Sequence, residues 1–176
     1  MSNQTIPPPN LNIMVYGLDD EANWRTLIDI ALQQCNLPIA DNYRIYDDAD
    51  KMLKEWMDNV HICIVDYDLK EKRTGLDVIT EVQKLNPVCH TILLTANQNP
   101  DVVAEALNMG VNNYVDKSKP EAFENLRKYV NKAVLKMNLF LVKFKSIIDS
   151  SPKIDKMIHD ASSSSDTQYP NDQPDS

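Results

Sequence analysis

Glycine is scarce in this chain: Gly17, Gly75 and Gly110 are the only three in 176 residues. So few, so far apart, cannot build a G-x-x-x-x-G-K loop, which excludes a nucleotide site of that kind. Cysteine is equally sparse. Cys35, Cys63 and Cys89 are odd in number and lack metal-ligand spacing, so reduced thiols are expected, with Cys63 a small core hydrophobe. His61, His90 and His159 form no i, i+4 pair, and Cys89-His90 is the only adjacent Cys/His, so zinc and nucleophile roles gain no support. No apolar run approaches the ~20 residues that cross a bilayer, so no membrane association is expected. The start, "MSNQTIPPPN", has neither the basic residues nor the apolar core of a secretory signal, and a cytoplasmic protein is expected. Positive charge is short as well. A net charge of −8 argues against direct nucleic-acid binding.

What remains is one domain with extensions. Residues 1–10, with Pro7-Pro8-Pro9, read as a flexible leader. Residues 11–133 then alternate strand and helix signals. Ile13-Met14-Val15-Tyr16, Tyr43–Tyr46, Ile62–Val65, Thr91–Leu94 and Asn113-Tyr114-Val115 are five strands, apolar or β-branched for most of their length. Between them Trp24/Leu27/Ile28/Ala31, Ala49/Met52/Leu53/Trp56, Val78/Ile79/Val82/Leu85 and Val102/Val103/Ala106/Leu107 recur at helical spacing. The punctuation agrees, with Asp47 or Asp48 as a cap, Asn86-Pro87 and Gly110 as stops, and Pro100 at a helix start. Repeated βα units predict an α/β fold with a doubly wound parallel sheet.

The last helix, beginning after Pro120, outlasts the domain. Phe123, Leu126, Val130, Ala133, Met137, Phe140, Phe144 and Ile147 step by alternate threes and fours, a heptad seam. Residues 134–150 are expected to extend past the domain as a dimerisation linker, with Met137, Phe140, Phe144 and Ile147 facing a second copy of the chain. Ser151-Pro152 suits the start of a short helix over 151–161. Residues 162–176, rich in serine and almost free of large apolar residues, are expected to be disordered.

The strand ends carry the chemistry. Strand one leads into Asp19-Asp20, strand three stops on Asp66, strand four on Thr95, and strand five runs to Lys117. In a parallel sheet these ends share one edge, where open α/β folds bind ligands. Carboxylates crowded there repel one another and call for a cation, and Mg²⁺ takes a few oxygen ligands and completes its shell with water. A carboxylate nucleophile, a metal, a lysine and a hydroxyl are the parts for phosphoryl transfer.

Four stretches in this order, "MVYGLDDE", "CIVDYDL", "ILLTAN" and "GVNNYVDK", resemble the receiver domains of bacterial two-component response regulators over about 120 residues. The resemblance implies a flavodoxin-like fold with strand order 2-1-3-4-5. It implies Asp66 as phosphoacceptor, Asp20 as a direct Mg²⁺ ligand, Asp19 as a ligand mainly through water, and the backbone carbonyl of Asp68 completing the site. Thr95 and Lys117 would bind the phosphoryl group, and Thr95 with Tyr114 would form the switch. A histidine kinase or phosphotransfer protein would be the donor, and no independent enzymatic turnover is implied. The chain departs from the family pattern at three places. The loop "DLKEKRTG" lacks the frequent proline, Lys117 is followed by Ser118, and Gly17 lies inside the first strand.

A further likeness concerns "FKSIIDSSPKIDKMIHDA", which resembles the segment opening the ATPase domain of enhancer-binding transcription activators. The glycine shortage excludes that ATPase here, so the chain looks like their receiver and linker alone. Two alternatives come from other classes. Asp66-x-Asp68 also resembles the first motif of haloacid-dehalogenase-type phosphohydrolases, in which Asp68 would be the acid/base; and a receiver-like fold can serve as an unphosphorylated docking module.

Overall fold

Strands form where consecutive residues must be buried on both sides, and Ile62, Cys63, Ile64 and Val65 are all fully buried. The computed structural model describes residues 13–35, 42–70, 72–97 and 99–149; the expected leader, the helix over 151–161 and the tail over 162–176 lie outside them. Within them the chain alternates β1 (Met14–Leu18), α1 (Ala22–Gln33), β2 (Tyr43–Tyr46), α2 (Ala49–Lys54) and β3 (Val60–Asp66). It continues with α3 (Gly75–Leu85), β4 (His90–Thr95), α4 (Pro100–Asn108), β5 (Asn113–Asp116) and α5 (Ala122–Asp149). The strands form one sheet in the order β2-β1-β3-β4-β5, every pairing parallel. This is the flavodoxin-like, doubly wound arrangement that the resemblance implied.

Alternation sorts the strand residues onto two faces. Tyr16, Leu18, Cys63, Val65 and Leu93 join one core cluster with Met52, Val78, Ile79, Val82 and Ala106 from α2, α3 and α4. The opposite face carries Val15, Ile62, Ile64, Ile92 and Leu94, all fully buried. Gly17 belongs to that face, and a Cβ there would stand 3.1 Å from Ile28 Cγ2, so the glycine lets α1 sit close on β1. The sequence alone made Gly17 a weak point; its place under α1 makes it a packing requirement.

Local chemistry sets the helix ends. Asp48 caps α2 by accepting from the Lys51 amide at 2.6 Å. Thr74 and Asp77 form a capping box at the start of α3. Asn99 caps α4 with Pro100 in its first turn, and Gly110 follows that helix at φ +78°, a left-handed conformation that suits glycine.

The chain divides into two compact units, Met1–Leu139 and Phe140–Ser176. In the α5 segment of the first unit, Leu126, Val130, Ala133, Val134 and Met137 are buried. Met137 thereby departs from the expected seam: its own chain already covers it. In the described part of the second unit Phe140 and Phe144 are 49% and 53% exposed, and their rings stack at 6.1 Å. Ile147 is exposed too.

Candidate phosphoryl-transfer site

The parallel sheet brings the carboxyl ends of β1, β3, β4 and β5 together, and with them the acids, hydroxyl and lysine singled out above. Asp66, the last residue of β3, is 1% exposed. Asp19 is buried as well, while Asp20 is half-buried. Carboxylate oxygens of Asp19, Asp20 and Asp66 lie within 4.8 Å of one another.

Lys117, at the end of β5, holds two of the three. Its Nζ lies 2.9 Å from Asp19 Oδ2 and 3.0 Å from Asp66 Oδ1, and its side chain is only 4% exposed. The sheet ladder delivers it there, since the Lys117 amide donates to the Thr95 carbonyl at 2.8 Å. The ring of Trp24 in α1 lies beneath the same ammonium, 5.1 Å from Nζ to the centroid.

Protonation follows from burial and charge. Burial, then the charge of Asp19, pushes the Asp66 carboxyl up to about 6 against the pull of Lys117. Asp19 is raised too, by burial first, although Lys117 opposes the shift. Burial would lower Lys117, but its hydrogen bond to Asp19 and the attraction of both carboxylates carry it above its ordinary value.

The site holds one more charge than the motifs indicated. Lys70, in the loop between β3 and α3, places Nζ 3.0 Å from Asp20 Oδ2. That loop is closed at its base, where the Gly75 amide donates to the Tyr67 carbonyl at 2.9 Å. A Cβ at Gly75 would stand 2.1 Å from the Asp66 carbonyl oxygen, so only glycine lets α3 start so near the acceptor. Trp24, Lys70 and Gly75 were not found by motif reasoning. Sequence periodicity marks Trp24 only as a helix-face apolar residue, and Lys70 has no local sequence signal.

Thr95 is buried; its hydroxyl donates to Asp68 Oδ2 at 3.2 Å and accepts from the Asn97 amide at 2.8 Å. Asp68 was expected to act through its backbone carbonyl, and its carboxylate thus engages Thr95 as well. Tyr114, the expected switch residue, lies on β5 opposite Leu93 and is partly buried against the core cluster. Met137, Phe140, Phe144 and Ile147 all lie on α5.

The donor set suits Mg²⁺. All candidate ligands are oxygens, and Asp66 Oδ2 is buried without a hydrogen-bond partner among the described residues. Such an atom is costly unless something electropositive meets it.

The response regulator receiver domain family matches residues 15–131. Among solved structures, the chain is similar to the response regulator TrrA of Thermotoga maritima, in complex with Mg²⁺-BeF, at 25% identity and a TM-score of 0.56. That match covers 69% of this chain and 98% of TrrA. DrrB, a Thermotoga maritima OmpR/PhoB homolog, matches at 20% identity and a TM-score of 0.61, covering 72% of this chain and 54% of its own. NtrX from Brucella abortus, solved in complex with ATP, matches at 17% identity and a TM-score of 0.61, covering 78% of this chain and 30% of NtrX. No curated protein sequence matches the chain.

Proposed function

The chain belongs to the response regulator receiver domain family, and from that premise we propose that it accepts a phosphoryl group on Asp66 from a histidine kinase or phosphotransfer protein. Receiver domains are phosphoacceptor modules of two-component signalling. The observation that carries the assignment is the Asp66 carboxylate, buried at a strand end with one oxygen on Lys117 and the other without a hydrogen-bond partner among the described residues.

Asp66 stays mostly ionised at neutral pH, yet its raised basicity makes its electron pair more available than that of a solvated aspartate. Its oxygen attacks phosphorus, and the bond from phosphorus to the donor's imidazole nitrogen breaks as the new O–P bond forms. Lys117 and the Thr95 hydroxyl pair with phosphoryl oxygens, for which Thr95 gives up Asp68. Asp19, Asp20, Asp66 and the Asp68 carbonyl would hold Mg²⁺, which would offset the gathered negative charge during transfer. Thr95 and Tyr114 then shift together and change the partner surface.

The test is intact mass after incubation with acetyl phosphate and Mg²⁺. Wild type gains one phosphoryl group and Asp66→Asn gains none; an unmodified, folded wild type overturns the assignment.

The output would be self-association through α5. Phe140 and Phe144 continue the heptad beyond buried Met137 and expose a stacked aromatic pair. Phosphorylated wild type should sediment as a dimer and Phe140→Ser/Phe144→Ser as a monomer. A monomeric wild type in both phosphorylation states ends this part of the proposal. A cytoplasmic setting fits, and no helix among the described residues is long and apolar enough to cross a membrane.

A further inference from the structure

Two lysines reach the acidic edge, and they are held on different terms. Lys117 is enclosed and bridges two buried carboxylates. Lys70 is 79% exposed and, among the described residues, pairs with Asp20, whose side chain is 12% exposed. Removing Lys117 from its place strands two buried acids, whereas Lys70, itself mostly in solvent, meets a single carboxylate oxygen, Asp20 Oδ2. A contact of this exposed kind is weak and exchangeable.

Asp20 is also the carboxylate assigned above as the direct metal ligand. An ammonium 3.0 Å from Asp20 Oδ2 occupies an oxygen of that carboxylate that otherwise has no hydrogen-bond partner among the described residues. A divalent ion bound to the same carboxylate would meet that positive charge within a few ångströms, where like charges repel. The loop allows the exchange. Its base is fixed by the Gly75–Tyr67 bond, and Arg73 pairs with Asp50 of α2 and with Glu81 of α3. Lys70 lies between these anchors, so its side chain can move without the loop leaving the sheet.

We infer that Lys70 is a tethered cation that competes with the divalent metal for Asp20, so that metal binding is a displacement and Lys70 sets the metal affinity. Lys70 is therefore a positioning residue that acts through Asp20. The inference rests on the metal reading given above and adds to it a residue outside the expected ligand set. It has a corollary for signalling: metal uptake frees a positive side chain at the rim of the site, where an incoming phosphodonor must dock.

The test is calorimetric titration of the full chain with MgCl₂ alone, without phosphodonor, for wild type, Lys70→Met, Lys70→Arg and Lys72→Met. Lys72 is an exposed residue of the same loop and controls for the loss of one charge. Lys70→Met should bind Mg²⁺ about two- to fivefold more tightly than wild type, the range expected for losing an exposed ion pair. Lys70→Arg should restore the wild-type affinity, and Lys72→Met should leave it unchanged. Equal or weaker binding by Lys70→Met, or an equal gain in Lys72→Met, overturns the inference and leaves the metal reading standing. Absence of Mg²⁺ binding in wild type and Lys70→Met alike defeats the metal reading, and the inference with it.

Discussion

The two ends of the sheet hold polar groups on opposite terms. At the amino ends of the strands neutral polar groups answer one another. His90 Nε2 meets Asn113 Oδ1 at 2.9 Å, the Thr91 amide donates to Asn112 Oδ1 at 2.8 Å, and Asn86 Nδ2 donates to the Val60 carbonyl at 2.8 Å. The Met14 amide donates to His61 Nδ1 at 3.2 Å, which that nitrogen can accept only when unprotonated. At the carboxyl ends the groups are charged, crowded and partly unanswered, with Asp66 Oδ2 left without a hydrogen-bond partner among the described residues. One set of strands thus has a structural end and a chemical end. The difference lies in satisfaction: polar groups are paired at one end and left partly unpaired at the other.

Mutation should separate the two ends by sign. The largest effect is expected at the amino end: Asn86→Ala strands the Val60 carbonyl and removes the side-chain acceptor for the Val88 amide. Losing such contacts should cost about 1–3 kcal/mol of unfolding free energy in urea melts. At the other end, Asp66→Asn should stabilise the chelator-treated protein by about 1–2 kcal/mol, since it removes a buried charge while Lys117 keeps Asp19. A destabilised Asp66→Asn would erase the contrast, because the carboxylate would then be as structural as Asn86.

Acidification sharpens the contrast, with smaller effects. Burial lowers the pKa of His61 and of His90; for His90, nearby Lys132 and Lys136 add to the shift although the Asn113 bond opposes it. The unfolded chain therefore takes up protons first, and the histidine contribution, complete above about pH 6.5, is lost as pH falls toward the folded values. Asp66 runs the other way. Its folded value of about 6 exceeds the unfolded one, so protonation favours the folded state as pH drops through 6. In metal-free melts between pH 7 and 5, His90→Gln should flatten the loss of stability and Asp66→Asn should steepen it. Matching slopes in the two variants would show that the ends do not titrate in opposition.

What the sequence disclosed follows the same division. Strands, helices and the acid-bearing ends were legible because periodicity and apolar runs report burial, and a parallel sheet then dictates which ends meet. A cap at Asp47 or Asp48, the helix start at Pro100 and the stop at Gly110 were legible because their causes are local. Contacts between residues distant in the chain were not. Lys70 on Asp20 and Trp24 beneath Lys117 depend on how loops and helices settle over the sheet edge. Met137 shows the limit of a repeat: a heptad marks an apolar face, but not where the chain's own core stops covering it.

The smallest effect probes why Lys117 stays where it does. Two carboxylates hold its ammonium, and the Trp24 ring lies 5.1 Å away, partly shielded from solvent. A cation over an indole face in a half-buried setting contributes about 0.5–1 kcal/mol. Trp24→Leu keeps an apolar side chain but removes the ring quadrupole, and Lys117→Met keeps the stem but removes the charge. A double-mutant cycle on metal-free protein should give a coupling of about 0.5 kcal/mol between them. The interaction would make Lys117 a group fixed from three sides, in contrast to Lys70 on the same edge. Zero coupling would mean that the carboxylates alone position Lys117; replacing either acid should then loosen the lysine as much as replacing both the acid and Trp24.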